Sequence, residues 1–515
     1  MPNFDYVVLG AGLGGLSAAA CLTRQGYRVA VLEQHYLPGG CCHTFNYGNY
    51  SFCADVHYIY QCGAGQTVQQ FLNYIDRDVA FNSLNPDCID RIITPEVDFL
   101  IPLNWNKFRD RLIATFPEEA WGINHYCDEI EQLRRDLHQL TTEIHWYDLD
   151  WSDWLALPKY WNLFTKRNWT LQNLYDNAGL SPKLQTLLAG QSGDYGLPPS
   201  EIALITHTCL VWDYSQGAYY PRHHFKHLVD SIVSTIVEGG GAIELSNPVR
   251  HIEIDNHRVA EVYAGDKIYR ADNAYISDLD PKLTVKLMHD SLALSKQEYE
   301  RLTDYEYSAS AFNIYLGLDS SFVPADYGIG NWNIWYYPDG NLNRAYQQQL
   351  KGNLENPWIF LSCPTQKSLE SGMAPEGHHV LEITTVCPYE PFRRLSRINT
   401  QAYQTQKRAV YQQVMNSVRD LIPDIDRYIR LKVFGTPTTS EHFLGQPEGN
   451  MYGAKLIPQQ IGLNRMGYKT ELPNLYLVGA TAGYPSVPGV IGNGMDVAEL
   501  LTGTPIRQPQ LVGAN

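Results

Sequence analysis

The chain has 515 residues, of which 44% are hydrophobic and 18% are charged, and this composition excludes a disordered, coiled-coil or collagen-like protein. Its 39 basic and 55 acidic residues give a net charge of −16, so we expect no nucleic-acid partner. The sequence predicts neither a signal peptide nor a transmembrane helix, and the ten cysteines, without a CxxC pair, are expected to be reduced thiols of a cytoplasmic protein rather than metal ligands.

A nucleotide-binding pattern opens the chain. Residues 5–9 form an apolar run typical of a buried parallel strand, and residues 10–15 follow with the order GxGxxG. An Ala- and Leu-rich segment with helical spacing extends to Gly26, and residues 28–32 predict a second strand that ends at Glu33. This strand–turn–helix–strand order predicts a dinucleotide site, and by itself it does not distinguish FAD from NAD.

Each part of this pattern has a physical task. Gly10 allows a tight turn, Gly12 lets the backbone approach a diphosphate, and Gly15 lets the helix pack closely on the strand. The positive end of the helix then faces the phosphates, and Glu33 can accept hydrogen bonds from ribose hydroxyls.

The next two segments resemble a known family. Residues 32–45 read LEQHYLPGGCCHTF and residues 52–59 read FCADVHYI. They resemble the FAD-dependent phytoene desaturase superfamily, and within it the branch of retinol saturases (all-trans-retinol 13,14-reductases) and carotenoid isomerases. The resemblance implies that Glu33 binds the adenosine ribose, and that Gly39 and Gly40 run beside the diphosphate and the isoalloxazine.

One departure from the family pattern leaves the substrate and the reaction open. The saturase-like pattern at residues 52–57 is FDTGIH, whereas this chain has FCADVH, with Cys53 in place of the acid and Asp55 in place of a glycine. His35, His43 and His57 lack the spacing of a metal-ligand cluster, so no metal is expected.

The middle of the chain has a helical character. Residues 107–143 follow an amphipathic pattern with an interruption near Pro117, which predicts an inserted cap or substrate region. Residues 146–169 hold five tryptophans with nearby basic residues, and we weigh two interpretations of them, a peripheral membrane contact and a cap packed on the core. The residues concerned are Trp146, Trp151, Trp154, Trp161, Trp169, Lys159, Lys166 and Arg167.

Beyond residue 216 the pattern returns to the nucleotide-binding domain, with a helix over residues 225–238 and strands near 242–255 and 274–280. The resemblance implies that the backbone of Val249 contacts the adenine. Family members commonly have two glycines where this chain has His223–His224, a pair that is either a specificity feature or a surface pair.

The last third of the chain contains two further patterns of apolar and polar residues. Residues 305–430 alternate apolar and polar positions, which predicts a mostly antiparallel sheet with one face along an apolar pocket. Residues 474–479 then predict a buried strand, followed by a helix over about 490–502. The resemblance places this turn against the flavin, so it implies cofactor contacts at Gly479, Ala480, Gly489 and Val490.

The predicted fold is α/β, a Rossmann-like FAD-binding domain interleaved with a substrate domain of mostly antiparallel sheet and a helical cap. We predict that residues 1–100, 216–300 and 436–505 form the FAD-binding domain, residues 101–215 the cap, and residues 301–435 the substrate domain. The predicted cofactor-binding residues are Gly10, Ala11, Gly12, Gly14, Gly15, Glu33, Gln34, Gly39, Gly40, Val249, Gly479, Ala480, Gly489 and Val490.

The expected activity is a FAD-dependent oxidation or reduction of a conjugated polyene such as a carotenoid or a retinoid. Saturation of one double bond is preferred over isomerisation and desaturation, and an amine-oxidase-like enzyme and a non-catalytic pigment carrier remain as alternatives. No second strand–GxGxxG–helix unit occurs, so NAD(P)H is expected only as a transient reductant. Candidate proton donors are His57, Tyr58, Tyr219 and His442.

Overall fold

The computed structural model describes residues 3–143, 157–288, 294–370 and 372–507. The strands in chain order are β1 (Asn3–Leu9), β2 (Val29–Leu32), β3 (Thr44–Tyr47), β4 (Tyr50–Cys53), β5 (Phe81–Ser83), β6 (Asp90–Ile93), β7 (Asp98–Ile101), β8 (Tyr219–Pro221), β9 (Ala242–Glu244), β10 (Val249–Asp255), β11 (Arg258–Ala264), β12 (Lys267–Ser277), β13 (Ala311–Leu318), β14 (Asn333–Tyr336), β15 (Ile359–Ser362), β16 (His379–Val386), β17 (Ile429–Gly435) and β18 (Leu475–Leu477).

The helices in chain order are α1 (Leu13–Arg24), α2 (Thr67–Tyr74), α3 (Trp105–Thr115), α4 (Ala120–Glu143), α5 (Trp161–Lys166), α6 (Leu171–Ala178), α7 (Pro182–Leu188), α8 (Leu204–Gln216), α9 (His224–Glu238), α10 (Pro281–Leu287), α11 (Lys296–Thr303), α12 (Leu342–Leu350), α13 (Pro364–Lys367), α14 (Tyr389–Ile398), α15 (Thr400–Leu421), α16 (Pro437–Leu444) and α17 (Val487–Thr502). In the described parts of the chain, no helix has both the length and the apolar character that crossing a bilayer requires.

The first sheet has β1 near its centre, in the order β10–β11–β12–β1–β2–β9, with β18 paired to β12. The pairs that β1 makes with β2 and β12 are parallel, as are the pairs β2–β9 and β12–β18. Tyr6 and Val8 pack into one core cluster while Val7 and Leu9 pack into another, so both faces of β1 are buried. A strand buried on both faces is continuously apolar, which is why residues 5–9 carry no alternation.

Helices α9 and α17 pack against α1. The contact with α17 is close because Gly494 has no side chain: a Cβ there would lie 2.6 Å from the carbonyl oxygen of Gly14. This packing joins the last described helix of the chain to its first.

The second sheet has the order β17–β13–β16–β15–β14–β6–β7, and its pairs are antiparallel except for β14 with β6. Alternate side chains divide between its two faces. One face packs into a core cluster together with residues of α15. The sheet residues in this cluster include Ile334, Ile359, Leu361 and Ile383. Trp335 and Phe360 point to the opposite face and belong to the main core.

The α/β class and the interleaved two-sheet architecture predicted from the sequence are confirmed. One boundary differs, because β6 and β7 lie in the second sheet although residues 1–100 are predicted as part of the first domain. The burial of Asp98–Ile101 alternates residue by residue, as expected for a strand with one face on the core. Trp146, Trp151 and Trp154 lie outside the described residues.

Candidate active site

One cavity lies between the two sheets. Its volume is about 360 Å³, within the range of about 300–1,000 Å³ for a common small-molecule pocket. Its walls come from the glycine turn before α1, the loop after β2, the inner face of the second sheet, and the segments around residues 443–453 and 478–490. The first and last parts of the chain therefore meet in one site.

The glycine turn and the loop after β2 lie backbone to backbone. The N–H of Gly39 donates to the carbonyl oxygen of Ala11 at 2.7 Å, and a Cβ on Gly40 would lie 3.1 Å from the Cα of Gly12. Gly39 and Gly40 have φ angles of 114° and 54°, in the left-handed region that favours glycine. These two positions require glycine for both conformation and space.

The carboxylate of Glu33 holds this arrangement together. Its Oε2 accepts the N–H of Ala11 at 2.7 Å, and its Oε1 accepts the N–H of His35 at 2.7 Å. Glu33 also lines the cavity at the end of β2, the position from which an acidic side chain can reach a ribose.

The amino terminus of α1 is suited to a diphosphate. Gly12 caps the helix without a side-chain hydrogen bond, and a Cβ on Gly14 would lie 3.1 Å from the nitrogen of Gly479. Backbone N–H groups at a helix start attract anions, so this cradle, which a Cβ would fill, fits a dinucleotide cofactor.

Asp278, at the end of β12, enters the same cradle and was not predicted from the sequence. It lines the cavity, and a Cβ on Gly479 would lie 2.7 Å from its Oδ1. Burial raises the pKa of Asp278 to about 7, and the charge of Glu33 acts in the same direction, whereas hydrogen bonds from the backbone of Gly15 and Gly12 oppose the rise. A carboxyl group thus occupies the end of the helix that attracts anions.

A second helix start borders the cavity at α17. Ser486 caps it, and its Oγ accepts the N–H of Gly489 at 3.1 Å. Ser486, Val487 and Val490 line the cavity. Two helix amino termini therefore point their partial positive charge at one site.

Most of the predicted cofactor residues line the cavity. These are Gly10, Gly12, Gly14, Glu33, Gln34, Gly39, Gly40, Val249, Gly479, Ala480 and Val490. Ala11, Gly15 and Gly489 are absent from the lining and contribute through the backbone: Ala11 binds Glu33, Gly489 binds Ser486, and a Cβ on Gly15 would lie 2.6 Å from the carbonyl oxygen of Gly10.

The far part of the cavity has aromatic walls. Trp335, Trp358 and Phe360 line it from the inner face of the second sheet and the segment before β15. The ring centroids of Trp335 and Phe360 lie 4.5 Å apart, and those of Trp335 and Trp358 lie 6.2 Å apart. Such a surface suits a flat, apolar ligand.

Ionisable side chains interrupt these walls. His57 Nδ1 lies 2.7 Å from Glu382 Oε2, and the Glu382 side chain is only 1% exposed. Lys367 Nζ donates to the carbonyl oxygen of His57 at 2.9 Å, and burial lowers the pKa of Lys367 to about 8. Asp55 accepts an N–H of Asn313 at 2.8 Å, and burial raises the pKa of Asp55 to about 7.

Of the four predicted proton donors, His57 alone is part of the cavity lining. Tyr58 lies behind the wall, with its hydroxyl on Asp194. Tyr219 packs over Gly217 outside the lining, and His442 likewise lies outside it. Their chemical roles stay predictions. Asp194 was not predicted from the sequence because its surroundings come from distant parts of the chain, and Asp278 was not predicted although it directly follows β12.

The described residues His223 and His224 differ in environment. His224 is buried and its Nδ1 lies 2.9 Å from the hydroxyl of Thr44. His223 packs edge to face against His227, with ring centroids 5.6 Å apart. Neither histidine lines the cavity.

Comparisons with known proteins agree with this geometry. Residues 8–75 match the model of an NAD(P)-binding Rossmann-like domain. The chain is 26% identical to all-trans-retinol 13,14-reductase of Danio rerio, with 93% of this chain and 82% of the relative covered. It is also 26% identical to the chloroplastic prolycopene isomerase of Daucus carota, over 93% of this chain and 76% of the relative.

Solved structures share the fold. An oxidoreductase from Methanosarcina mazei matches with a TM-score of 0.65 at 18% identity, over 97% of this chain and all of that chain. A putrescine oxidase matches with a TM-score of 0.62 at 14% identity, over 98% of this chain and all of that chain. This chain is thus similar over 93% of its length to a retinol 13,14-reductase and to a prolycopene isomerase, and the glycine turn before α1 lies within the residues that match the Rossmann-like domain model.

Proposed function

We propose that this protein binds FAD and saturates one conjugated double bond of a retinoid or a carotenoid. The single observation that carries the proposal is the continuity of the cavity, which joins the cradle at α1 to the aromatic walls of the second sheet. The names of the relatives, a retinol reductase and a prolycopene isomerase, support a polyene as the substrate.

We propose a place for each part of FAD among the residues of this chain. The N–H groups at the start of α1 would hold the diphosphate, and Glu33 would take the ribose hydroxyls. The backbone of Gly479–Ala480 and the start of α17 would lie along the flavin, where their partial positive charge favours a reduced, anionic ring. Reduced flavin supplies a hydride, and we propose NAD(P)H as the transient reductant.

The walls of the cavity favour a long apolar substrate over a small amine. Trp335, Trp358 and Phe360 give flat apolar surfaces that exclude water from a polyene. The fold shared with putrescine oxidase keeps an amine as the alternative substrate class.

The test is anaerobic incubation of the reduced holoprotein with a retinoid and a carotenoid, and aerobic incubation of the oxidised holoprotein with putrescine, with the products separated by chromatography and mass. Saturation adds two hydrogen atoms to the mass of the polyene. A matched control replaces Gly12 with Val, which we expect to abolish the bound flavin and the turnover together. A product from putrescine with none from any polyene would contradict the proposal.

Isomerisation is the second candidate, because the prolycopene isomerase relative covers the same 93% of this chain. In the same experiment isomerisation leaves the mass unchanged and shifts the retention time. The two reactions use the same cavity and are distinguished by this single measurement.

We also propose a peripheral membrane contact through the described part of residues 146–169. Trp161 and Phe164 are 66% and 43% exposed, and the guanidinium of Arg167 lies 4.1 Å from the centroid of the Phe164 ring. Exposed aromatic rings beside cations suit the interface of a bilayer with anionic headgroups.

Flotation with vesicles that contain anionic lipid tests this contact. The double variant Trp161→Ala, Phe164→Ala should bind the vesicles less than the wild-type protein does. Ile398→Ala, which removes a 72% exposed side chain from α14, is the control and should bind normally. Equal flotation of all three proteins would contradict the contact.

A further inference from the structure

A pair of carboxyl groups shares one tyrosine beside the aromatic walls. Tyr58 Oη donates to Asp194 Oδ2 at 2.6 Å and lies 3.2 Å from Asp90 Oδ2. Asp194 lines the cavity, whereas Asp90 is completely buried behind it. A tyrosine hydroxyl carries a single proton to donate. The shorter hydrogen bond goes to Asp194, so the two carboxyl groups differ in the donor that they receive.

The surroundings of Asp90 stabilise a negative charge. Gln191 Nε2 donates to its Oδ2 at 2.7 Å, while Asn333 Nδ2 and Trp335 Nε1 donate to its Oδ1 at 3.0 and 3.1 Å. Three N–H donors satisfy an ionised carboxylate, so Asp90 is the anion of the pair.

The surroundings of Asp194 favour the neutral acid. Among the described residues, Tyr58 is the one hydrogen-bond donor to its carboxyl group. Two ionised carboxylates this close would repel each other, so the proton of the pair stays with the member that has fewer donors.

The loop that carries Asp194 is fixed against the segment proposed to reach the flavin. Tyr452 Oη donates to the carbonyl oxygen of Gly193 at 2.8 Å. A Cβ on Gly453 would lie 3.0 Å from the nitrogen of Thr481, the residue after Ala480. Tyr452 and Gly453 thus link the loop of Asp194 to the segment that follows Ala480.

Two other ionisable groups of the lining, Asp55 and His57, are weaker candidates for the acid. Burial raises the pKa of Asp55 to about 7, and the hydrogen bond that Asp55 accepts from Asn313 opposes this rise. His57 Nδ1 lies beside Glu382, and Lys367 donates to the backbone of the same histidine. Among the described residues, neither Asp55 nor His57 has a like-charged neighbour that shares its hydrogen-bond donor.

We propose that Asp194 is the acid that protonates the substrate, with Tyr58 and Asp90 as positioning residues. The inference rests on the proposed function. In a saturation, the bound reduced cofactor would supply the hydride that forms a C–H bond at one carbon of the double bond, and losing the hydride would oxidise the cofactor. The O–H bond of Asp194 breaks, its proton forms the C–H bond at the other carbon, and the electron pair of the double bond is consumed. Water that enters after product release returns a proton to Asp194.

The electrostatics of the pair agree with this assignment. Burial raises the pKa of Asp194 well above its ordinary value, and the charge of Asp90 raises it further. The hydrogen bond from Tyr58 and the charge of Lys367 act in the opposite direction. A carboxyl group that stays protonated near neutral pH can act as a general acid.

Infrared difference spectroscopy of the flavin-loaded protein at neutral pH tests the protonation without turnover. The carbonyl stretching band of buried carboxylic acids should lose one component in Asp194→Asn and keep that component in Asp55→Asn, Asp278→Asn and His57→Gln. The components that remain in Asp194→Asn come from Asp55 and Asp278, whose pKa values burial raises to about 7. Persistence of the complete band in Asp194→Asn would overturn the proposal. Tyr58→Phe should keep the band and shift it, since the hydrogen bond to the carboxyl group is lost.

Turnover gives the second readout. With flavin content and thermal midpoint as checks on folding, Asp194→Asn should lower the rate of the reduction step by about 10²–10⁴-fold, and Asp194→Glu should recover part of it. In Tyr58→Phe the decline of the rate with rising pH should move to higher pH, because a hydrogen bond that favours the charged acid is gone.

The two proposals fail in different ways. If the wild-type protein converts a polyene and Asp194→Asn does so within about twofold of its rate, below the smallest effect expected of a general acid, the assignment of Asp194 is overturned and the proposed function stands. If the wild-type protein converts no polyene, the proposed function is overturned, and with it the role of Asp194 as a polyene acid.

Discussion

The substitution Asp278→Asn should change how the affinity for FAD depends on pH. The Asp278 carboxyl group lies at the start of α1, where we propose the diphosphate binds, and burial raises its pKa to about 7. The backbone of Gly15 and Gly12 and the carboxylate of Glu33 face it. A bound diphosphate brings further negative charge, so binding requires Asp278 to be neutral and takes up a proton above pH 7.

The magnitude follows from that pKa. Each pH unit above about 7 adds about 1.4 kcal/mol to the cost of protonation, so the Kd for FAD should rise about tenfold per unit. Asn is neutral at every pH, so the Kd of the variant for FAD should not change with pH.

Without flavin, the raised pKa means that the folded protein holds this proton more tightly than the unfolded chain, whose Asp pKa is about 3.9. The contribution to stability is complete below pH 4 and is lost as the pH rises to about 7, by up to about 4 kcal/mol.

Titration of the flavin-free protein with FAD between pH 6 and 9, followed by flavin fluorescence, gives both profiles. Asp272→Asn is the control, because Asp272 lies on the same strand, β12, with its side chain 51% exposed. A wild-type Kd that does not change with pH, or the same slope in Asp278→Asn, would refute the placement of this acid against the diphosphate.

Three further substitutions test the packing of the site and the core. Gly14→Val places a side chain against the backbone of Gly479, and the flavin absorbance per protein should fall at least about tenfold; full flavin content would count against the cradle. Trp335→Ala removes a ring that packs on Phe360 and should cost about 3–5 kcal/mol of unfolding free energy in a denaturant titration, and a loss near zero would show that the wall is not packed. Ile314→Ala, in the fully buried strand β13, should cost about 2–5 kcal/mol and leave the flavin content of the folded protein unchanged, and flavin loss there would contradict the separation of site and core.

The sequence was sufficient where structure is local. The strand over residues 5–9, the glycine turn and helix α1 are adjacent in the chain, so the order of residue types predicts them directly. The pairing of β6 with β14 was not predictable, since the two strands are separated by more than 200 residues and nothing in the residues of either names its partner.

The residues of the site also fall into two groups, those that a local motif predicts and those whose surroundings come from distant parts of the chain. Gly39, Gly40 and Glu33 were predicted because a motif carries them, whereas Asp194 acquires its proton-holding environment from burial and from the charge of Asp90, which lies in a distant part of the sequence. Asp278 could have been found: it directly follows β12, and the carboxyl ends of the parallel strands β1 and β12 meet at one edge of the sheet.

The place of β6 in the second sheet affects how the chain is made as well as how it is arranged. At a synthesis rate of about 5–20 residues per second, the partner strand β14 leaves the ribosome roughly 12–50 s after β6, because roughly 240 residues separate them. Throughout that interval the nascent amino-terminal part exposes an unpaired strand edge. Cellular chaperones that shield such edges should therefore raise the yield of this protein, and a fragment that stops near residue 100 should aggregate rather than fold.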